Sequence, residues 1–164
     1  VELLVKIQTD LVKRLDRIDL VRIVRNAVQL TDDLKNKKSK AYKSPVKGGR
    51  WDKPYNKEYA KRQGKGLNNV NLRSNIQYVN GKKVKRKSRS IEETKVTTKQ
   101  VDNGVRGRIE FRDKEKAKIF GYHQTGKAKG RKVRKIYPTK REEVPDVVTE
   151  LIQDTITAEI LRNG

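Results

Sequence analysis

His123 is the only histidine in 164 residues, and it lies within Tyr122-His123-Gln124-Thr125-Gly126. An imidazole can act as a general base near neutral pH, but the chemistry needs a second acid–base group within reach of the proton. None stands near it in sequence, so a structural histidine is expected. Gly121, Gly126 and Gly130 punctuate the same region. A phosphate-binding loop would need Lys-Ser/Thr at the mouth of a helix, and neither follows. The acid pairs Asp32-Asp33 and Glu142-Glu143 read as helix-end charges rather than metal ligands. With no cysteine, thiolate zinc sites, disulfides and cysteine nucleophiles are excluded. The expectation is a protein that is not an enzyme, with no cofactor and no metal.

Charge carries more information than these candidates. The chain has 42 Lys and Arg against 20 Asp and Glu, a net charge of +22, and a mean hydropathy of −0.96. Residues 1–34 balance six bases against six acids, and six acids face only Arg162 from Glu142 onward. The surplus concentrates in three acid-free runs: seven bases in Lys35–Arg50, six in Lys82–Arg89 and six in Lys127–Lys135. Any one such run is commonly a solvated loop, but three together point to a polyanionic or acidic partner. No apolar run is long enough to cross a bilayer, and Val1–Leu4 lacks the basic flank of a secretion signal. A soluble protein made in a reducing compartment, without a membrane partner, is expected.

The elements that must position these residues follow from periodicity. Val1, Leu3, Val5 and Ile7 alternate as in a strand, and Thr9 or Asp10 caps a short helix bearing Leu11, Leu15 and Ile18. Asp19 caps a second helix, whose stripe of Leu20, Val24, Ala27/Val28, Thr31 and Leu34 runs on to about Tyr42 before Ser44-Pro45 ends it. Lys47–Gly66 is turn-rich. Val70–Leu72 and Ile76–Val79 read as strand, with Asn80-Gly81 as a hairpin turn and Lys82–Ser90 as a mobile arm. Glu93–Val101 and Val105–Phe111 alternate around the Asp102-Asn103-Gly104 turn, giving an antiparallel meander with one buried face. Asp113–Lys116 is a polar connection into the apolar run Ile119–Tyr122. Ile136-Tyr137-Pro138 reads as an edge strand. Pro145 suits the first turn of a closing helix with Val148, Ile152, Ile156 and Ile160 on one stripe. The fold class is α+β: a single domain over 1–164, with a small antiparallel β-sheet flanked by N-terminal and C-terminal helices. Long basic arms occupy about 35–66, 82–90 and 127–135.

Trp51, Tyr55 and Tyr59 sit among basic residues. Such aromatics stack on bases, or anchor a long loop to its own domain or to a neighbouring subunit. Read as one pattern, the chain resembles the virion-morphogenesis (tail-completion) family of tailed phages and the related minor head–tail joining proteins. The resemblance rests on Gly48-Gly49-Arg50-Trp51 with Tyr59-Ala60-Lys61-Arg62, on Val70–Ile76 opening the sheet, and on the His-Gln-x-Gly of Tyr122–Gly126. The Pro138-bearing link and the closing helix complete it. It lacks the glycine usual before the sheet and most of the family's Pro-x-Arg-Pro-Phe link.

The resemblance implies a structural virion protein, assembled in the host cytoplasm and placed at the head–tail junction or the head-proximal end of the tail. It implies a homo-oligomeric ring touching portal or connector and tail proteins, with packaged DNA in the channel as a further neighbour. Trp51, Tyr55, Tyr59, Tyr122, His123, Gln124 and Tyr137 are then the expected subunit and partner contacts. Lys82, Lys83, Lys85, Arg86, Lys87 and Arg89 would meet an acidic or polyanionic surface, as would Lys127, Lys129, Arg131, Lys132, Arg134 and Lys135. Acidic proteins are favoured slightly, because base-stacking aromatics are few in the loops. The competing reading is a free-standing nucleic-acid-binding protein that grips phosphates through these loops.

Overall fold

The computed structural model describes residues 2–3, 18–51, 54, 56–64, 66, 68, 72, 76–85, 90–102, 104–126 and 133–163, and among these it has nine α-helices and β-strands. In chain order they are β1 (Glu2–Leu3), α1 (Leu20–Lys40), α2 (Lys57–Gln63), β2 (Ile76–Val79), β3 (Lys82–Lys85), β4 (Thr94–Val101), β5 (Gly104–Phe111), α3 (Lys114–Thr125) and α4 (Asp146–Asn163). The expected α+β class is observed. Val5, Ile7, the helix expected around Leu11 and Leu15, and Val70-Asn71 lie outside the described residues.

The central unit is α1 on a three-stranded antiparallel sheet of order β1-β5-β4. Asp19 caps α1 as expected, its carboxylate accepting from Arg22 N–H at 2.9 Å, and Lys37, Lys38 and Lys40 occupy the last turn, where the helix dipole favours cations. Val24, Ala27 and Val28 are buried from α1, and Val105 and Ile109 from β5. Between those two stands Gly107. A Cβ there would lie 2.3 Å from Val28 Cγ2 and 2.9 Å from Val24 Cγ1, so glycine lets the helix approach the sheet closely.

Three expectations change on this frame. β2 and β3 pair only with each other, through Asn80 and Gly81 at positive φ, so they form a separate two-stranded ribbon rather than part of the meander. Lys82–Lys85, expected in a mobile arm, is its second strand. The expected polar connection at Asp113–Lys116 and the apolar run after it form one helix: Asp113 caps α3 by accepting from Lys116 N–H, and Gly126 ends it in the left-handed region at φ 69°. Lys116, Phe120 and Gln124, spaced four apart, supply its buried face. Pro145 sits just ahead of α4, offering its carbonyl to Val148 N–H at 2.9 Å.

The closing helix buries less than its stripe suggested. Val148 and Glu159 are its buried residues, Ile152 and Ile156 are half-buried, and Ile160 is exposed. Glu159 pairs with Arg22, fastening α4 to α1.

Gly107→Ala should therefore destabilise the protein by about 1–3 kcal/mol through overpacking. Adding Val28→Ala should recover part of that loss. Urea denaturation of the single and double variants measures both effects.

Candidate functional site, a clasp at the roots of the basic segments

Helix α3 delivers the Tyr122–Gly126 motif against the returning chain at 133–137. Gln124 is buried, and its amide does the work of a missing strand. Its Oε1 accepts from Ile136 N–H at 2.7 Å and from Tyr137 N–H at 3.1 Å, while its Nε2 donates to Tyr137 O at 2.6 Å. The expected edge strand at Ile136-Tyr137-Pro138 is instead a buried irregular segment with a bend at Tyr137, bonded to a side chain rather than to the sheet. His123 contributes its backbone carbonyl, which accepts from Arg134 N–H at 2.7 Å. Its ring lies 6.5 Å from Phe120, which stacks on Phe111 at 4.5 Å. Gly126 completes the motif, because a Cβ there would stand 2.5 Å from Val133 Cγ2. Residues 126 and 133 are therefore held together at the two ends of the 127–132 segment.

A second set of bonds joins this root to the first basic run. Lys135 O accepts from Trp51 Nε1–H at 3.0 Å and from Ser44 Oγ at 3.3 Å. The buried Arg134 guanidinium donates to Pro54 O at 3.2 Å. Lys135 pairs with Glu143, whose other carboxylate oxygen accepts from Thr139 N–H and Oγ1, both at 2.9 Å. Lys47 N–H donates to Glu143 O at 3.0 Å. Burial disfavours the Glu143 carboxylate, but the Lys135 and Thr139 hydrogen bonds and the Lys135 charge outweigh it and hold its pKa at about 2.

Tyr137 carries the clasp into the core. Its hydroxyl donates to Asp32 Oδ1 at 3.0 Å. Lys35 Nζ donates to the same oxygen at 2.7 Å and to Thr94 Oγ1 at 3.0 Å, and Thr94 Oγ1 donates to Asp32 Oδ2 at 2.8 Å. Lys35 Nζ also lies 5.7 Å from the Phe111 ring centroid and 5.6 Å from that of Tyr137. Burial drives the Lys35 pKa down, although Asp32 pulls the other way. Burial, with Asp32 adding to it, drives the Tyr137 pKa up.

Several expected contact residues are accordingly used inside the domain. Trp51, Gln124 and Tyr137, expected to meet neighbouring subunits, are buried and bonded within this one, and so are Arg134 and Lys135 of the third basic run, the latter half-buried. Asp32 is not a helix-end charge but half of a buried ion pair, and Lys35 belongs to the core rather than to a basic arm. That pair was missed although 24, 28, 31 and 35 continue one helical face. Tyr122 and His123 are half-buried, and Lys82 is exposed. Tyr55, Arg86, Lys87, Arg89, Lys127, Lys129, Arg131 and Lys132 lie outside the described residues, as do the side chains of Tyr59, Lys83 and Lys85. Among the described residues no His, Asp and Glu group is arranged to hold a metal, and no helix is long and apolar enough to cross a membrane.

No family model, curated protein or solved structure matches the chain.

Replacing Gln124 by Leu removes three hydrogen bonds and leaves buried Ile136 and Tyr137 backbone groups unpaired. A loss of about 2–4 kcal/mol is expected, read as a lower urea midpoint. Glu143 titrates below its ordinary value of 4.5, so its stabilisation is complete above that pH and is lost as pH falls toward about 2. Acid denaturation of Glu143→Gln should lack that portion of the pH dependence.

Proposed function

We propose that this protein is a structural subunit of a tailed-phage particle, completing the tail or joining head to tail as part of a homo-oligomeric ring. The observation that carries the reading is the use made of His-Gln-x-Gly. The motif on which the resemblance chiefly rests serves as a clasp. Its carbonyl, amide and glycine fasten the two ends of a basic segment to a rigid helix and sheet. A scaffold that presents cationic segments from fixed roots suits mechanical work between subunits.

In this reading the segments beyond the roots lie over adjacent copies, the portal or connector, and the tail proteins, with packaged DNA as a further neighbour. Trp51, Gln124 and Tyr137 act indirectly, by fixing where those segments leave the domain. Tyr122, His123 and Lys82 remain candidates for direct contact. The competing reading, a free nucleic-acid-binding protein, is supported by the same cationic surface.

Light scattering on the purified full chain, alone and with the portal protein, together with particle-averaged images of the head–tail junction, separates the two. Ring formation and density at the junction are expected. A chain that stays monomeric with the portal and is missing from purified particles would overturn the proposal.

A further inference from the structure

The end of helix α1 is closed by a residue that the fold does not require there. Tyr42 N–H donates to Ser39 O at 3.1 Å and Lys43 N–H to Lys38 O at 2.9 Å, which makes a Schellman turn with Tyr42 in the left-handed region at φ 58°. Glycine takes that position without strain, and α2 and α3 end on Gly64 and Gly126 at φ 61° and 69°. A bulky aromatic residue there is strained. Such a turn is ordinarily accompanied by an apolar contact between the residues that stand here at 38 and 43. Both are exposed lysines instead. The helix dipole accounts for lysines in the last turn of α1, but not for a tyrosine just beyond it. Tyr42 is 47% exposed, and among the described residues its hydroxyl has no hydrogen-bond partner and its ring no ring neighbour. Lys37, Lys38 and Lys43 are exposed, and none of them makes an ion pair with a described residue. Asp33, one turn before Lys37, accepts from Gln29 at 3.0 Å, and Glu92 lies 4.0 Å from Lys40.

We infer that the α1 cap is a binding site for single-stranded nucleic acid, in which one base stacks on the Tyr42 ring while Lys38 and Lys43 hold the adjoining phosphates. Stacking needs an open ring and an unpaired base, and it accepts any base because each has a π-face. The lysines supply the sequence-blind attraction for phosphate. Lysine is depleted from the centres of protein–protein interfaces, so a tyrosine set among lysines suits a polyanion with planar bases better than another polypeptide. A duplex offers phosphates but no free base faces, and would leave the strained ring without a use. The site lies in the first basic run, whereas the residues expected to meet a polyanion stood in the other two. Ser44, two residues on, is held to Lys135 O at 3.3 Å, so the clasp fixes the chain where it leaves the site. The inference stands whether or not the chain assembles into a ring.

The test is binding of a fluorescent single-stranded DNA oligonucleotide to the full chain over a salt series, beside the duplex it forms with its complement. Tyr42→Gly should weaken single-strand binding by about 5- to 150-fold and leave duplex binding unchanged, while Tyr42→Phe keeps the parent affinity. Tyr42→Gly should melt no lower than the parent, since the left-handed position suits glycine, so lost binding is not lost folding. Lys38→Gln/Lys43→Gln should lower the single-strand salt slope by about 1.4. With iodouracil in the oligonucleotide, ultraviolet crosslinks mapped by mass spectrometry should fall on Tyr42. Unchanged single-strand affinity in Tyr42→Gly, or crosslinks confined to other residues, would overturn the inference. So would an equal loss on duplex, which would mark a site read by charge alone. Polyglutamate binding that falls in Tyr42→Gly while oligonucleotide binding does not would overturn it too, and would mark an acidic protein as the partner. Light scattering on the same samples reports assembly separately, so failure here and failure of the ring reading are told apart.

Discussion

The chain runs through the interior at Arg134 and at Ile136–Pro138 without a regular element of its own or a neighbouring strand, and its peptide groups must still be satisfied. Leaving a buried N–H or C=O without a partner costs about 1–3 kcal/mol, so a sheetless strand is ordinarily pushed to the surface. Gln124 removes the difficulty because a primary amide carries both an acceptor and donors in one plane. Its three bonds to Ile136 and Tyr137 imitate one rung of a ladder. With that rung in place, Lys135 O is available to Trp51, the Lys135 ammonium meets Glu143, and the Tyr137 hydroxyl reaches Asp32.

The Asp32–Lys35–Thr94–Tyr137 cluster is the inner end of the same construction. A buried ion pair gains little over apolar residues of equal size, because desolvation offsets its attraction. Its value lies in how few arrangements satisfy it. Asp32 and Lys35 come from α1, Thr94 from the start of β4, and Tyr137 from the returning segment. The Asp32–Lys35 bond lies within α1, whereas the bonds to Thr94 and Tyr137 form only when β4 and the returning segment are seated against that helix. The lowered Lys35 pKa and the raised Tyr137 pKa both express the low polarity of the surroundings.

Around this neutralised interior the protein's charge is directed outward in two ways. One set of cations belongs to segments whose ends the clasp holds, and another stands at the end of α1, where the helix cap joins Lys38 to Lys43.

The α+β class, the Asp19 cap, the end of α1 near Tyr42, the Asn80-Gly81 hairpin, the β4–β5 pairing and the closing helix were legible in the sequence, because caps, turns and alternation are local signals. Helix α3 was not: Ile119-Phe120-Gly121-Tyr122 has strand-like composition, and only Asp113 and Gly126 at its ends mark the helix. The roles of Trp51, Gln124 and Tyr137 were equally hidden, since whether an aromatic or an amide faces inward depends on what lies opposite it. Lys35 and Asp32 resemble their charged neighbours until the fold closes over them. The sequence by itself determined which segments coil, pair and turn, and how much positive charge they carry. The tertiary structure alone decided which polar groups are enclosed and which are displayed, because burial and cross-strand proximity arise between residues far apart along the chain.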